Sequence, residues 1–348
     1  MKSRVDEKLL RRCCELALRS AGQTGTNPNV GSVVWDSENN KILGEGWHQA
    51  FGEDHAEVKA LGRARKHHSV ADKLIAVSLE PCNHEGKTPP CTSAIKRHQL
   101  GEVLVDQVDP NPKMHGKSLK ILGSAGIHTS GPYDSDEGRE VLRPFLIGTK
   151  MKRPFIRIKM AVSRDGFIGR SGERIKISNA ISDRWVHRIR NESQAIMVGT
   201  ETVRNDDPAL TSRFGNQYHP IRIIPDYRGN LEPTLRVFQE KGQVIVCTKR
   251  PGKVYPAAIL AVNPHDSKDM FHQLYSQYHI GNILVEGGRR LVTSLLEEGL
   301  WDEMIIIVNT ELDLNYGVKM PTIPTPMTKY EIKFGTDSIK FYNNPASR

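Results

Sequence analysis

The chain has 348 residues, which is long for one hydrophobic core and comfortable for two, so two domains are expected. Hydrophobic residues make up 38% of it, but the longest apolar runs are strand-sized, so we expect a cytoplasmic protein without a membrane partner. Five cysteines, an odd number, do not make a disulfide framework.

The net charge of +9 is spread unevenly along the chain. Residues 1–150 contain 21 Lys and Arg against 19 Asp and Glu (+2), and the remainder contains 28 against 21 (+7). A basic excess favours anionic ligands for the second part, either nucleic acid or small phosphates. Charge alone does not distinguish these two.

The first half alternates predicted helices and strands after an amphipathic helix at its start. Helices are predicted at "HAEVKALGRARKHH" and "CTSAIKRHQL", and strands at "NVGSVVWD", "ILGEGWHQ", "KLIAVSLEPC" and "EVLVDQVD". Such alternation is typical of a sheet covered by helices on both faces. A further helix is predicted over residues 134–149, followed by "KMKRP" as a basic, proline-containing linker.

A second alternating series begins after this linker. Its predicted strands are "FIRIKMAVS", "QAIMVGTET", "IRIIPD", "QVIVCT", "GNILVEGG" and "DEMIIIVNT". A strand that enters Gly287 and Gly288 before an amphipathic helix predicts a phosphate-binding turn, because backbone amides can approach an anion there. No GxGxxG segment follows a strand, which argues against an ordinary Rossmann site. Residues after 310 form no clear pattern.

Three residues of the first half have the side chains that zinc prefers. They are His55, Cys82 and Cys91, and a catalytic zinc takes three protein ligands and keeps a fourth place for water. Pro81 suits the first turn of a helix, so we expect both of these cysteines at helix N-termini, where a thiolate is favoured. A structural zinc is the alternative.

Glu57 lies in the first turn of the helix that follows His55, where it can move protons without binding the metal. A His-x-Glu segment followed by Pro-Cys and a second Cys is typical of zinc deaminases, although eight residues separate the two cysteines here instead of two. The other cysteines, Cys13, Cys14 and Cys247, are interpreted as buried residues without chemistry.

The first half resembles the deaminase domain of the bifunctional riboflavin-biosynthesis deaminase and reductase. The resemblance is carried by "TNPNVGSVV", "GEGWHQAFGEDHAEVKAL", "SLEPCNHEGKTPPCTSAI" and "DPNP". It implies a cytidine-deaminase-like α/β/α domain over residues 1–149 that removes the ring 2-amino group of a phosphoribosylated diamino-pyrimidine. The residues implied in substrate binding are Asn27, His48, His84, Lys87 and Thr88, each of which is also compatible with a turn or surface position.

The second half resembles, more loosely, the reductase domain of the same family. "IRIKMAVSRDGFIG", "QAIMVGTETVRNDDPALTSR" and "NILVEGGRRLVTSLLEEGLWDEM" carry the resemblance, which implies a dihydrofolate-reductase-like α/β domain over residues 150–348. The implied contacts to NADPH are Ala161, Lys176, Thr202, Asp206, Gly287, Gly288 and Arg289, within a turn that extends to Thr293. The implied contacts to substrate are Lys159, Arg174, Arg190, Leu210, Arg213 and Glu286. Arg190 and Arg213 suit a ribose phosphate, although each alone is also compatible with a solvated surface.

Two segments depart from the family pattern. "GERIKIS" (172–178) stands where the family usually has Gly-x-Ser-x-Trp-Ile-Ser, and "ELDLNYGVKMP" (311–321) replaces the usual Gly-Gly segment. With these departures, one alternative is an active deaminase domain beside a degenerate reductase domain. We favour the other alternative, in which the reductase site is kept and the cations Arg174 and Lys176 attract the phosphate groups of NADPH or substrate.

Two further alternatives remain, one within enzymes and one in a different class of protein. One is a deaminase of nucleosides or nucleic acids, which the absence of an aromatic and basic stripe argues against. The other is a regulatory binding protein that kept the fold. We expect zinc and NADPH as cofactors, a small phosphorylated pyrimidine as substrate, no nucleic-acid partner, and a homo-oligomer.

Overall fold

The computed structural model describes residues 3–85, 89–112, 114–212, 219–250, 254–323 and 328–347. The predicted substrate residues Lys87, Thr88 and Arg213 lie outside these ranges. Contacts within the chain divide it into two compact units, Met1–Met151 and Lys152–Arg348. No helix in the described ranges has the length and apolar character needed to cross a membrane.

The described part of the first unit contains a five-stranded sheet in the order β2-β1-β3-β4-β5. Strand β1 pairs antiparallel with β2 and β3, whereas β3, β4 and β5 are parallel. The strands are β1 Gly31–Asp36, β2 Lys41–Trp47, β3 Leu74–Leu79, β4 Glu102–Gln107 and β5 His128–Ser130. The helices are α1 Arg4–Ala17, α2 Ala56–Ala64, α3 Cys91–Arg97, α4 Lys117–Ser124 and α5 Asp136–Met151.

Helices cover both faces of this sheet, as the alternating pattern predicts. On one face α1 packs against Val33, Ala76 and Leu104. On the other face α2, α3 and α4 pack against the alternate residues of the same strands, including Val34 and Val77. Neighbouring strand residues therefore point to opposite helical layers. The predicted pattern did not identify α4 or β5, which are short and weakly apolar.

Two glycines bring α2 close to the sheet. A Cβ atom at Gly46 would lie 2.2 Å from the carbonyl oxygen of Ala56, and one at Gly44 would lie 2.4 Å from that of Ala60. Contacts this short are possible only without a side chain, so β2 and α2 approach backbone to backbone. This packing places the first turn of α2 against the sheet.

The described part of the second unit contains a nine-stranded sheet in the order β10-β9-β8-β7-β11-β6-β12-β14-β13. The first seven strands in this order, from β10 at the edge to β12, are parallel to one another. Strands β14 and β13 then continue the sheet with antiparallel pairing. The strands are β6 Phe155–Val162, β7 Ala195–Met197, β8 Ile221–Pro225, β9 Val244–Thr248, β10 Ala258–Ala261, β11 Asn282–Val285, β12 Glu303–Asn309, β13 Thr328–Phe334 and β14 Asp337–Asn343. The helices are α6 Ala180–Asn191, α7 Thr200–Asp206, α8 Arg236–Gln239, α9 Ser267–Tyr278 and α10 Arg289–Glu297.

This sheet separates two hydrophobic cores. Helices α9 and α10 pack on the face that includes Ile156, Ile158 and Met197. Helices α6, α7 and α8 contribute to the core on the other face, which includes Ile196 and Leu284. Because the strands are buried on both faces, their sequences read as continuous apolar runs. The carboxyl ends of the parallel strands lie at one edge of the sheet.

Candidate active sites

The predicted metal ligands lie together in the first unit. His55, Cys82 and Cys91 each offer one ligand atom, and these atoms all lie within 4.8 Å of one another. The Nδ1 atom of His55 is 3.3 Å from the sulfur of Cys91 and 3.4 Å from that of Cys82. His55 therefore forms one cluster with two cysteines that lie 27 and 36 residues further along the chain.

Two elements and one loop bring these ligands together. His55 is the N-cap of α2, and Cys91 is the first residue of α3. Cys82 was predicted to close a strand and begin a helix, and this prediction was wrong: β3 ends at Leu79, and the described residues after it are not helical until Cys91. The backbone N–H of Cys91 donates to the Cys82 sulfur over 3.3 Å, so the helix N-terminus that favours this thiolate is that of α3.

The thiols and Glu57 have perturbed acidities. Hydrogen bonds from the Cys91 thiol and from His55 lower the pKa of Cys82 to about 4, while the shared hydrogen bond and burial raise the pKa of Cys91 well above its usual range. Glu57 is 3% exposed, and burial, with a smaller contribution from the Cys82 charge, raises its pKa. A buried carboxyl beside a metal cluster is suited to proton transfer.

The donor set fits zinc. One imidazole and two sulfurs make the three-ligand set of a catalytic zinc, and within the described ranges no further His, Cys, Asp or Glu joins the group. A structural zinc would be coordinated by a fourth protein ligand. The His-Cys-Cys set therefore matches a site with one coordination position for water.

Two of the predicted substrate residues of the first unit, Asn27 and His48, lie beside this cluster. The His48 ring lies edge-on to the His55 ring with centroids 5.5 Å apart, and Asn27 Nδ2 is 3.3 Å from His48 Nε2. His84 is exposed in the loop between the cysteines, within electrostatic reach of Asp109. Asn27 and His48 thus form one wall beside the metal ligands.

Glu80 was missed by the sequence reasoning. This buried carboxylate accepts backbone N–H groups of Asp109 at 3.1 Å, Gly116 at 2.9 Å and Ser118 at 2.9 Å. It therefore fixes the loop that begins with "DPNP" next to the Cys82 segment. An acidic residue between an apolar strand and a Pro-Cys pair was the available signal.

A buried charge cluster marks the carboxyl edge of the second sheet. Arg190 of α6 donates from Nε and Nη2 to the two oxygens of Glu286 over 2.5 Å and 2.8 Å, and from Nη1 to the Thr211 carbonyl over 3.2 Å. Burial alone would raise the pKa of Glu286, but Arg190 outweighs it and lowers the pKa to about 2. The forked face that was predicted to grip a phosphate is bound to Glu286 instead.

Lys159 of β6 shares this cluster. Burial lowers the pKa of its ammonium group, and the negative charge of Glu286 opposes that shift. Leu210 is buried with a positive φ of 52° just before Thr211, so this turn is held beside Arg190. The structure therefore brings together four predicted substrate residues, which are Lys159, Arg190, Leu210 and Glu286.

The predicted phosphate-binding turn lies between β11 and α10. Gly287 and Gly288 have φ of 96° and 85°, and Arg289 is the first residue of α10. A Cβ atom at Gly288 would lie 3.3 Å from Thr202 Oγ1 and 3.5 Å from Gly199 Cα. The turns after β11 and β7 therefore adjoin, and a Cβ atom at Gly287 would meet no atom within 4 Å, so there is open space for a ligand at the first glycine of the turn after β11.

The two cations of the altered segment differ in their surroundings. Burial raises the pKa of Asp206, and the nearby charge of Arg174 opposes that rise, which places Arg174 near a predicted cofactor residue. Lys176 instead forms an ion pair with Asp183 at 2.6 Å. Ala161 lies near the carboxyl end of β6.

The second altered segment packs on the loop after β6. The oxygens of Asp165 accept the N–H groups of Leu314 at 3.1 Å and Asn315 at 2.6 Å, and the Ile168 N–H donates to the Val318 carbonyl over 2.8 Å. Arg170 lies 4.1 Å from the centre of the Tyr316 ring. This segment therefore packs against and supports the loop that follows β6, the strand that contains Lys159 and Ala161.

Comparison with known proteins places both units in families. Residues 3–107 match the cytidine and deoxycytidylate deaminase zinc-binding region, and residues 154–311 match the RibD C-terminal domain. The riboflavin biosynthesis protein RibD of Aquifex aeolicus is 35% identical over 313 residues, covering 87% of this chain and 86% of that protein. RibD of Escherichia coli is 34% identical over 328 residues, covering 88% of each.

Solved structures agree with the sequence comparison. The diaminohydroxyphosphoribosylaminopyrimidine deaminase/5-amino-6-(5-phosphoribosylamino)uracil reductase of Thermotoga maritima superposes with a TM-score of 0.87 at 29% identity, covering 97% of this chain and 98% of that one. RibD of Acinetobacter baumannii has a TM-score of 0.84 at 31% identity, with the same coverage. The predicted fold class, a cytidine-deaminase-like domain followed by a dihydrofolate-reductase-like domain, is confirmed. The chain therefore belongs to the RibD family of riboflavin biosynthesis enzymes, with a zinc-dependent deaminase domain and an NADPH-dependent reductase domain.

Proposed function

We propose that this chain deaminates 2,5-diamino-6-(5-phosphoribosylamino)pyrimidin-4(3H)-one and then reduces the ribose of the product to a ribityl group with NADPH. The observation that carries the proposal is the His55, Cys82 and Cys91 cluster with buried Glu57, in one chain with the Lys159 and Glu286 cluster beside a glycine turn. We further propose a homo-oligomeric enzyme in the cytoplasm, which sedimentation and cell fractionation test.

In the deamination step, His55, Cys82 and Cys91 hold zinc, and the substrate ring lies against Asn27 and His48. Zinc supplies the Lewis acidity that activates water at neutral pH. Glu57 accepts the proton of the attacking water and delivers it to the departing amine, so that ammonia leaves and a ring carbonyl remains. Burial suits Glu57 to this work because it makes the carboxyl a stronger base than an exposed one.

The loop between the two cysteines supplies the rest of this pocket in the proposal. His84 carries an imidazole there, and Lys87 and Thr88 provide an ammonium and a hydroxyl for the phosphoribosyl group. The first reaction is thereby matched to a phosphorylated substrate.

In the reduction step, the chain's task is to hold two ligands in contact. NADPH supplies the reducing equivalents. Its proposed contacts are Ala161, Lys176, Thr202, Asp206, Gly287, Gly288 and Arg289. The substrate contacts are Lys159, Arg174, Arg190, Leu210, Arg213 and Glu286. Glu286 holds Arg190, whereas the ammonium of Lys159 makes no ion pair within the described part of the chain. Lys159 is therefore the group that we assign to donate a proton to the oxygen of the opened ribose.

The test is incubation of purified protein with the diamino-pyrimidine nucleotide, with and without NADPH, followed by mass analysis. Without NADPH, we expect release of ammonia and a product with oxygen in place of one NH group. With NADPH, the product gains two further hydrogens. Deamination without NADPH oxidation would identify a degenerate reductase. The absence of both reactions would identify a regulatory binding protein.

A further inference from the structure

The loop between β2 and α2 joins the substrate wall to the first metal ligand. It runs from His48, which is 3% exposed, to His55, the N-cap of α2. Residues 51–54 between them are exposed, and Gly52 has a φ of 85°, so the tip of the loop turns into solvent. Exposed loops are among the more mobile parts of a protein, so the position of His48 depends on the contacts that hold this loop.

Lys59 of α2 holds both arms of this loop. Its Nζ group donates to Gln49 Oε1 over 2.6 Å and to Glu53 Oε2 over 2.7 Å. The side chain of Lys59 is 16% exposed and that of Glu53 is 50% exposed, so the lysine is largely covered and the carboxylate is the outer partner. The hydrogen bond from Lys59 also lowers the pKa of Glu53. One ammonium group therefore joins the residue after His48 to the second residue before His55.

The second arm of the loop also orients the His48 ring. The Nδ1 atom of this ring lies 3.4 Å from the carbonyl oxygen of Asp54, which directly follows Glu53. The other ring nitrogen, Nε2, lies 3.3 Å from Asn27 Nδ2. The backbone group that contacts the ring is therefore placed by the arm that Lys59 holds, and movement of this arm would release one side of the ring.

The zinc site is held in place by other contacts. Gly46 lets β2 lie directly against the start of α2, which carries His55 and the buried carboxyl of Glu57. Lys59 stands one helical turn after His55, and its charge lies within electrostatic reach of His48. Loss of the Lys59 contacts would therefore disturb the substrate wall and leave the metal ligands and Glu57 where they are.

We propose that Lys59 is a positioning residue of the deaminase site, which fixes the loop of residues 48–54 and so holds the His48 ring where it receives the pyrimidine. This inference rests on the proposed function, because it takes His48 as a contact to substrate. A binding group that is already ordered loses less conformational entropy when its ligand binds. The contribution of Lys59 is therefore to substrate affinity, and the rate at saturating substrate depends on the zinc site and Glu57.

The first test measures ammonia release from the diamino-pyrimidine nucleotide by the full, zinc-loaded chain. Lys59→Met removes the donors at similar side-chain length, and it is expected to raise the Michaelis constant about five- to tenfold, with kcat within about twofold and zinc content unchanged. Lys59→Arg keeps donors for both partners and is expected to bring the Michaelis constant to within about twofold of wild type. The matched control is Lys66→Met, which removes an exposed cation just beyond α2 and is expected to behave as wild type.

A second variant acts on the other partner of the contact. Glu53→Ala changes an exposed residue of the loop and is expected to raise the Michaelis constant in the same way, so the proposal stays testable should Lys59→Met fail to fold. In a Gln49→Ala and Glu53→Ala background, Lys59 has lost both partners. There, Lys59→Met is expected to add less than about twofold, because coupled residues are not additive.

A further measurement does not depend on the substrate. Phe51, at the tip of the loop, is 41% exposed and offers a cleavage site for chymotrypsin. Brief digestion of the folded chain, with the fragment of residues 1–51 followed by mass, reports how often the loop opens. Lys59→Met is expected to speed this cleavage about fivefold or more, whereas Lys66→Met is expected to leave it unchanged.

Four outcomes overturn the proposal. A wild-type Michaelis constant in Lys59→Met removes its basis, as does a fall in kcat and zinc content without a change in the Michaelis constant. A wild-type rate of cleavage at Phe51 shows that Lys59 does not hold the loop. A full effect of Lys59→Met in the Gln49→Ala and Glu53→Ala background shows that Lys59 contacts the substrate directly. Failure of the proposed function looks different, because wild-type protein would then release no ammonia from the nucleotide, while the cleavage assay would still report on the loop.

Discussion

Replacing Glu286 with Gln tests whether the buried ion pair organises the reductase site. The side chains of Glu286 and Arg190 are 7% and 17% exposed, and two hydrogen bonds join them. Gln keeps the shape of Glu but removes the charge and places an amide N–H group against the donors of Arg190. The variant therefore leaves a buried guanidinium without its counter-charge.

Two independent arguments give the size of the effect. Breaking a buried pair by removing one charge typically costs about 3 to 5 kcal/mol. The pKa of Glu286 falls from an ordinary 4.5 to about 2, and at about 1.4 kcal/mol for each pKa unit this corresponds to roughly 3 kcal/mol. We expect Glu286→Gln to lower the free energy of unfolding of the second unit by about 3 kcal/mol at pH 7.

The effect should depend on pH in one direction. The folded-state pKa of Glu286 lies below its unfolded value, so the pair stabilises fully above about pH 4.5 and loses its contribution as the pH falls towards about 2. The difference in unfolding free energy between wild type and Glu286→Gln is therefore expected to be equal at pH 7 and pH 5.5 and about half as large at pH 3.

Urea unfolding followed by tryptophan fluorescence measures this difference. The chain has four tryptophans, so Trp35→Phe and Trp47→Phe leave Trp185 and Trp301 to report on the second unit alone. The control is Glu192→Gln, which breaks the exposed Arg188–Glu192 pair at 2.9 Å and is expected to cost less than about 0.5 kcal/mol. A loss below about 1 kcal/mol for Glu286→Gln, or one that is unchanged at pH 3, would refute the reasoning.

Three further predictions concern the two sites. Glu57→Gln is expected to keep zinc but slow ammonia release about a hundredfold or more, and near-normal release would exclude Glu57 as the proton carrier. A Cys82→Ser and Cys91→Ser double variant is expected to lose the roughly one zinc per chain found by metal analysis, and retained zinc would contradict the ligand assignment. Arg174→Ala is expected to raise the Michaelis constant for NADPH or the phosphorylated substrate, more so at low salt, without changing deamination; a constant equal to wild type at low salt would mean that Arg174 is only a solvated charge.

The zinc site was predictable because its chemistry depends on side-chain type. Few residues other than His and Cys bind zinc, and in the sequence His55 and Glu57 stand at the start of an amphipathic helix while Cys82 comes at the end of the following apolar run. The alternation of helices and strands likewise predicted sheets with helices on both faces, since burial on two faces requires continuous apolar runs. The local pattern was less informative for Cys82, whose stabilising N–H comes from Cys91.

Partners of charged groups were decided only by the tertiary structure. Arg190 and Glu286 are 96 residues apart, and an arginine fork suits a carboxylate as well as a phosphate, so the sequence by itself permitted either partner. The same holds for Glu80, which accepts hydrogen bonds from three backbone N–H groups of a segment that begins 29 residues later. It also holds for Arg228 and Arg250, which come into contact because β8 and β9 are neighbours in the sheet. Side-chain type determines which chemistry is possible, and strand order determines which groups come within reach.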